Sequence, residues 1–218
     1  MAVRCSLILL LLCAVVPWLS AGDLTELQVT ETGGIYRIRM AMVVHAPAKY
    51  VRGVLTDYAH IYRLNPSIIE SDILASPEQG VVRVRTLVVG CVAFFCRRVG
   101  RVEDVHELAS GDLQAAIVPE LSDLKSGAAE WRLQREGEHT LVTYRAHMEP
   151  DFFIPPLIGS YFVRRNIRKE IMTTFTRLEC VAQTQARLDS VSHLQLAGLG
   201  IDSVCSDQCD NDSTDCQQ

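Results

Sequence analysis

The chain has 218 residues and a formal net charge of −5, with 21 Lys and Arg against 26 Asp and Glu. That balance excludes a general nucleic-acid binder, whose surface would be basic. The charge is uneven: segment 184–218 is acidic and polar, while arginine clusters occupy the body.

The chain opens MAVRCSLILLLLCAVVPWLSAGD. Arg4 supplies a positive start, Ser6 to Val16 an apolar run, and Ser20-Ala21-Gly22 a small-residue cleavage signal. The apolar run is short for a membrane-spanning helix, which wants about 20 residues. The pattern predicts a secretory signal peptide over 1–22 and export across the inner membrane to the periplasm. About 196 residues remain, enough for one domain with a real core. The cysteines beyond the signal are Cys91, Cys96, Cys180, Cys205, Cys209 and Cys216. An even set in an exported chain suggests disulfides.

Ile35 to His45 alternates with period two, setting Tyr36, Ile38, Met40 and Met42 against Ile35, Arg37, Arg39 and Ala41. This predicts the first strand, entered from a Gly33-Gly34 turn. Ala46-Pro47-Ala48 stops it and starts a helix, since proline suits a first helical turn. Two short helices are expected over Lys49–Leu55 and Asp57–Leu64, closed by Asn65-Pro66. Strands are then expected over Ser67–Ala75, Val81–Val89, Arg97–Leu108, Leu113–Val118, Ala128–Arg135 and Thr140–Met148. Turns fall at 76–80, 110–112 and 136–139, and a polar loop at 119–127. Leu157–Cys180 has helical spacing, with Val163, Ile167, Ile171, Thr174 and Leu178 on one face. Periodicity fades after Ala186, and disorder is expected over 184–218.

The order is α+β: strand, two short helices, six strands, long helix. An antiparallel sheet needs one face covered, and the C-terminal helix is the available cover. The stretch APAKYVRGVLTDYAHIYRLNPSI after the first strand, and PDFFIPP before the last helix, resemble the START-like helix-grip superfamily. Within it the chain resembles the polyketide cyclase/dehydrase and coenzyme-Q-binding branch, over about residues 34 to 180. The resemblance implies a domain over 23–183, with a curved antiparallel sheet of about seven strands wrapped around the C-terminal helix. It also implies an apolar cavity between them. Residues offered to that cavity are Ile38, Met40, Met42, Val82, Val84, Leu87, Trp131, Leu133, Tyr144, Ile167, Ile171 and Phe175.

Counting strand reversals puts the Cys91–Cys96 tip at the same end of the sheet as Gly33-Gly34, 119–127 and 149–156. That end gathers Phe94, Phe95, Phe152, Phe153 and Tyr161, with Arg97, Arg98, Arg164 and Arg165 behind. Two readings stand: a cavity mouth suited to docking on an anionic lipid surface, or aromatics packed as a cap. Cys91 and Cys96 are expected to face each other as a disulfide; the alternative is a pair of buried free thiols. Arg83 and Arg85 share one strand face and either grip an acidic headgroup in the cavity or meet solvent.

No GxSxG, HExxH, phosphate loop or paired CxxC occurs. No cofactor, metal or catalytic residue is expected; the tail cysteines match no zinc spacing. Glu103 and Asp104 adjoin on a strand and face opposite sides. The function expected is binding or carriage of a hydrophobic molecule, a lipid or isoprenoid quinone, with peripheral membrane contact. The alternative is a cyclase/dehydrase-like enzyme on a polyketide or aromatic precursor, with an inward His147 or Glu130 as acid or base.

Overall fold

The computed structural model describes residues 23–76, 78–92, 95–154 and 159–191. The expected signal peptide and most of the expected tail lie outside these residues. Eight strands form one antiparallel sheet: β1 Asp23–Thr32, β2 Ile35–Val44, β3 Ile68–Leu74, β4 Val81–Val92, β5 Phe95–Glu107, β6 Leu113–Ile117, β7 Leu124–Glu136 and β8 His139–Pro150. Their spatial order is β1-β2-β8-β7-β6-β5-β4-β3. Helix α1 (Ala48–Leu55) and a 3₁₀ helix (Tyr58–Leu64) lie between β2 and β3, and the long helix α2 spans Gly159–Val191.

Three expectations are corrected here. The sheet has one strand more than expected, because Asp23–Thr32 pairs with β2 through a two-residue turn. Gly33 and Gly34 both have positive φ, 61° and 85°, which suits such a turn to glycine. This edge strand exposes most of its side chains and gives the core only Leu27 and Val29, so its apolar signal is thin. The short helices therefore follow the second strand. Helix α2 also runs past 183 to Val191, so 184–191 is helix. Backbone i→i−4 bonding needs no apolar stripe, and this last stretch covers little core. Strand β7 likewise starts at Leu124, inside the segment expected to be loop.

Alternation places one face of each strand inward. On β2 the inward set is Tyr36, Ile38, Met40, Met42 and Val44, all at most 4 % exposed. Register carries that face across the sheet: Met40 opposes Tyr144, Tyr144 opposes Trp131, and Trp131 opposes Leu113. The core joins this face to Val51 and Val54 of α1 and to Phe175, Leu178, Val181 and Ala182 of α2.

At the end of the sheet where β2 finishes, polar groups lock the helices down. His45 donates its backbone N–H to Glu179 Oε1 at 2.9 Å, and its ring Nδ1 lies 2.9 Å from the same oxygen. The buried Thr140 hydroxyl donates to the Ala46 carbonyl at 2.7 Å. Glu107 accepts from Arg52 at 2.8 Å and from the Tyr58 hydroxyl at 3.1 Å, tying α1 and the 3₁₀ helix to β5. Burial and the Glu107 carboxylate push the Tyr58 phenol well above its ordinary range. Towards the opposite end, next to Ser67, whose carbonyl accepts from Val89 of β4, Asn65, 4 % exposed, does more than stop a helix. Its side-chain amide donates to the Glu170 carbonyl and the Thr174 hydroxyl, and its oxygen accepts from Ser67 N–H.

Candidate functional site

The opposite end is built differently. Here β4 and β5 meet with Cys91 directly across from Cys96, and the two are joined by a disulfide. The same end carries the β8–α2 connection, since Leu124 at the start of β7 opposes Pro150. The Asp151 N–H donates to the Asp123 carbonyl. Asp123 in turn donates its own N–H to the Gly100 carbonyl of β5 and accepts the Gly100 N–H on its carboxylate. The Arg97 guanidinium carbon stands 4.3 Å from the Phe152 ring centroid. That contact brings the disulfide hairpin against the aromatic loop, and cation–π attraction of this kind contributes on the order of 0.5–1 kcal/mol where partly solvated.

The aromatic residues divide by exposure. Phe95, at the start of β5, is half-buried. Phe152 is half-buried beneath Arg97, whereas Phe153 is 74 %, Tyr161 61 % and Phe162 49 % exposed. Large apolar side chains exposed together mark an interaction surface more often than a random surface does. Phe94 lies outside the described residues. Ile167 and Ile171, on the first half of α2, are half-buried against the core. Phe175 is only 3 % exposed and sits 5.8 Å from the Tyr144 ring, which sits 5.0 Å from Trp131. Those three rings form the floor under the open end.

Strand parity decides the sequence readings here: Arg83 and Arg85 take the solvent one, and the inward placements of His147, Glu130 and Leu87 fail. Arg83 and Arg85 face outward. Arg83 makes two 2.7 Å hydrogen bonds to Asp104, which hold the Asp104 carboxyl below the usual carboxylate range. Arg85 pairs with Glu70 at 3.0 Å and lies 3.7 Å from Asp72. They form a charged ladder over the outer edge of the sheet, not a headgroup clamp in the cavity. His147 and Glu130 also face outward: Arg37 opposes His147, and Glu130 opposes Arg145. Leu87 is outward too, because Val84 and Thr86 occupy the inward positions.

Polar groups that do face inward come from β5 and β4. Thr86 opposes Arg101, and Val84 opposes Glu103. Arg101 Nε is 3.1 Å from the Glu103 carboxylate, but out of line for a hydrogen bond. Thr86 is 1 % exposed, and its hydroxyl has no hydrogen-bond partner in the structure. Tyr144 lies within electrostatic reach of the pair. Burial pushes its phenol up to about 12, with Arg101 pulling down and Glu103 pushing up. A buried polar atom without a partner needs an explanation. The inward polar group opposite it on β5 is Arg101. The signal was present in the sequence as odd-numbered charges on β5, but only register distinguishes Arg101 and Glu103 from their outward neighbours.

A single antiparallel sheet gripping a long C-terminal helix across its apolar inner face defines the START-like helix-grip class. The chain belongs to the family described as polyketide cyclase / dehydrase and lipid transport, which matches residues 36–183. No curated protein matches it by sequence. Among solved structures it is similar to TTHA0849 from Thermus thermophilus, at 16 % identity and TM-score 0.58, covering 69 % of this chain and 99 % of that one. It is equally similar to the Zhui aromatase/cyclase from Streptomyces sp. R1128, at 16 % identity and TM-score 0.58, covering 74 % and 99 %. A STAR-related lipid transfer protein from Xanthomonas axonopodis aligns at 16 % identity and TM-score 0.55, covering 75 % and 99 %. At these identities the likeness establishes fold, and one fold hosts carriers and enzymes alike.

Proposed function

We propose that the protein binds and carries a largely hydrophobic small molecule with one polar group, a lipid or isoprenoid quinone, between the sheet and the first half of α2. The observation that carries this is a small inward polar set, Thr86, Arg101, Glu103 and Tyr144, on a face that is otherwise apolar and only half-buried towards one end. Binding sites for such molecules are mostly apolar with a few placed polar groups that fix orientation. The ligand's apolar body lies against Trp131, Ile167, Ile171 and Phe175. Its polar end meets Arg101 and the unpartnered Thr86 hydroxyl. Entry is at the disulfide hairpin, where Phe153, Tyr161 and Phe162 touch the membrane surface and Arg98 and Arg165 meet anionic headgroups. The compartment proposed is the periplasm, supported by the leader pattern at 1–22 and by the Cys91–Cys96 disulfide.

The tryptophans are Trp18 and Trp131, so cleavage after the leader leaves Trp131 as a single reporter in the cavity. Titration of the mature chain with an isoprenoid quinone is expected to quench Trp131 saturably, and Thr86→Val with Arg101→Met to weaken that quenching. Native mass spectrometry of protein purified from the periplasm is expected to show a bound lipid-like mass. Linear, non-saturating quenching together with an empty native mass overturns the carrier reading.

A second reading, a cyclase/dehydrase-like enzyme, is favoured by the same inward trio of Arg101, Glu103 and Tyr144. A phenol pushed up to about 12 is a hydrogen-bond donor at neutral pH rather than a base, which leaves Glu103 as the proton acceptor. The two readings separate on the fate of the ligand. A carrier returns it unchanged, whereas a cyclase returns an aromatic polyketide precursor with water lost, and Glu103→Gln abolishes that loss.

A further inference from the structure

The outer face of the sheet carries a second concavity, unrelated to the inward site. It is a groove of about 620 Å³ crossing β2, β8, β7, β6 and β5. Its floor exists because Ala116 and Ala128 oppose each other across β6 and β7 with their side chains outward. Longer residues at either place would fill it. Its wall is cationic. Arg39 and Arg145 are directly opposite on β2 and β8, and Arg37 is opposite His147. His106 and Gln114 line the far side.

Like charges directly opposite on neighbouring strands are destabilising. Elsewhere on this outer face Arg83 is answered by Asp104, Arg85 by Glu70, and Arg132 by Glu130 at 2.8 Å. One acid, Glu130, also lines the groove, opposite Arg145, and its carboxylate is bonded by Arg132. Arg37, Arg39 and Arg145 have no acidic partner within salt-bridge distance among the described residues. Three unanswered guanidinium groups around a recessed floor, in a chain of net charge −5, make a local anion site.

We propose that this groove is a second binding site, for a soluble small molecule bearing phosphate groups. The guanidinium fork matches phosphate geometry, and a phosphate carries about −1.5 to −2 charges at neutral pH, against one for a carboxylate. Three guanidiniums with two flanking imidazoles therefore suit phosphate better than a lone carboxylate. The volume falls in the range of small-molecule pockets, roughly 300–1,000 Å³. A soluble source is favoured over a bilayer headgroup because the exposed aromatic side chains Phe153, Tyr161 and Phe162 lie at the hairpin end, while the groove's rim is charged. The groove would act independently of whatever the inward site carries.

The test is titration of the mature chain with inorganic pyrophosphate at low salt, followed by calorimetry and by backbone amide NMR. Saturable binding is expected, with amide shifts concentrated on β2, β7 and β8, and weakening as salt rises. Arg39→Gln with Arg145→Gln is expected to weaken it at least tenfold without lowering the thermal midpoint, since a like-charge pair is removed. Ala128→Leu keeps every charge and fills the floor, so it is also expected to abolish binding. Equal affinity for sulfate and pyrophosphate, or retention of binding in Ala128→Leu, means diffuse charge attraction and overturns the proposal. A second arm measures sedimentation with phosphatidylglycerol vesicles. Vesicle binding that depends on Arg39 and Arg145, with no pyrophosphate binding, assigns the site to a lipid surface and overturns the soluble ligand. Absence of both also overturns it.

Discussion

The two halves of α2 present the same kind of surface to the same sheet, yet they do opposite things. Towards Val191, Phe175, Leu178, Val181 and Ala182 are at most 5 % exposed, and Glu179 is bonded to His45 beneath them. Towards Gly159, Ile167 and Ile171 are half-buried and Tyr161 and Phe162 face solvent. One half has its partners within the chain, including α1 and the end of β2. The other is held at its margins, by Arg168 donating to the Leu27 carbonyl of β1 at 2.9 Å and by Asn65 reaching Glu170. On the proposed function, stability and binding are segregated along one helix. A carrier needs that arrangement, because a face that packs completely leaves no room for cargo, and a face that packs nowhere does not fold.

The largest effect that tests this contrast is at the closed half. Leu178→Ala, at 0 % exposure, is expected to cost about 2–5 kcal/mol in a urea titration. Ile171→Ala, a loss of similar size, is expected to cost clearly less, because the site is already half open. Equal costs would erase the distinction between the halves.

An alkaline titration probes the floor between them. The Tyr144 phenol is raised from 10.0 to about 12, so the neutral form is favoured in the folded state. Its contribution is complete below pH 10 and is lost as pH rises towards 12. Tyr144→Phe should flatten that alkaline fall in stability; an unchanged slope would place the phenol in water. At the acid side the sign reverses. Asp104 is depressed by Arg83, so its contribution is present above the ordinary carboxylate range and is lost as pH falls through its lowered value. Asp104→Asn should remove that part of the acid limb.

Removing the disulfide by Cys91→Ser with Cys96→Ser opens no large loop, and a loss of about 2 kcal/mol is expected. A greater consequence is expected for lipid uptake, because the hairpin tip holds Arg97 against Phe152. The smallest change in stability belongs to Tyr161→Ser with Phe162→Ser, within about 0.5 kcal/mol by the usual behaviour of surface substitutions. Vesicle association should nevertheless drop. A large fall in the melting temperature for this double variant would mean that the two rings are a packed cap after all.

Much of the architecture was legible in the residues. Period-two alternation at Tyr36–Met42 marked the buried face of β2, and Ala46-Pro47-Ala48 marked the turn into α1. The strands expected on either side of Cys91 and Cys96 placed the two opposite each other. What escaped was of two kinds. Edge strand β1 and the last turns of α2 bury little, so hydrophobic periodicity, which reports burial, hardly sees them. The chemistry escaped because adjacent charges alternate faces. Arg83 and Arg101 look alike in sequence, yet register sends one out to Asp104 and the other in beside Thr86.

The sequence by itself determined most of the strands and helices, and that one apolar face needs covering, because side-chain periodicity is local. Only the tertiary structure decided which polar groups point inward and which arginines go unanswered outside. Those depend on register and on contacts between residues such as His45 and Glu179, or Asn65 and Thr174, far apart in the chain. No local pattern encodes a partner that distant.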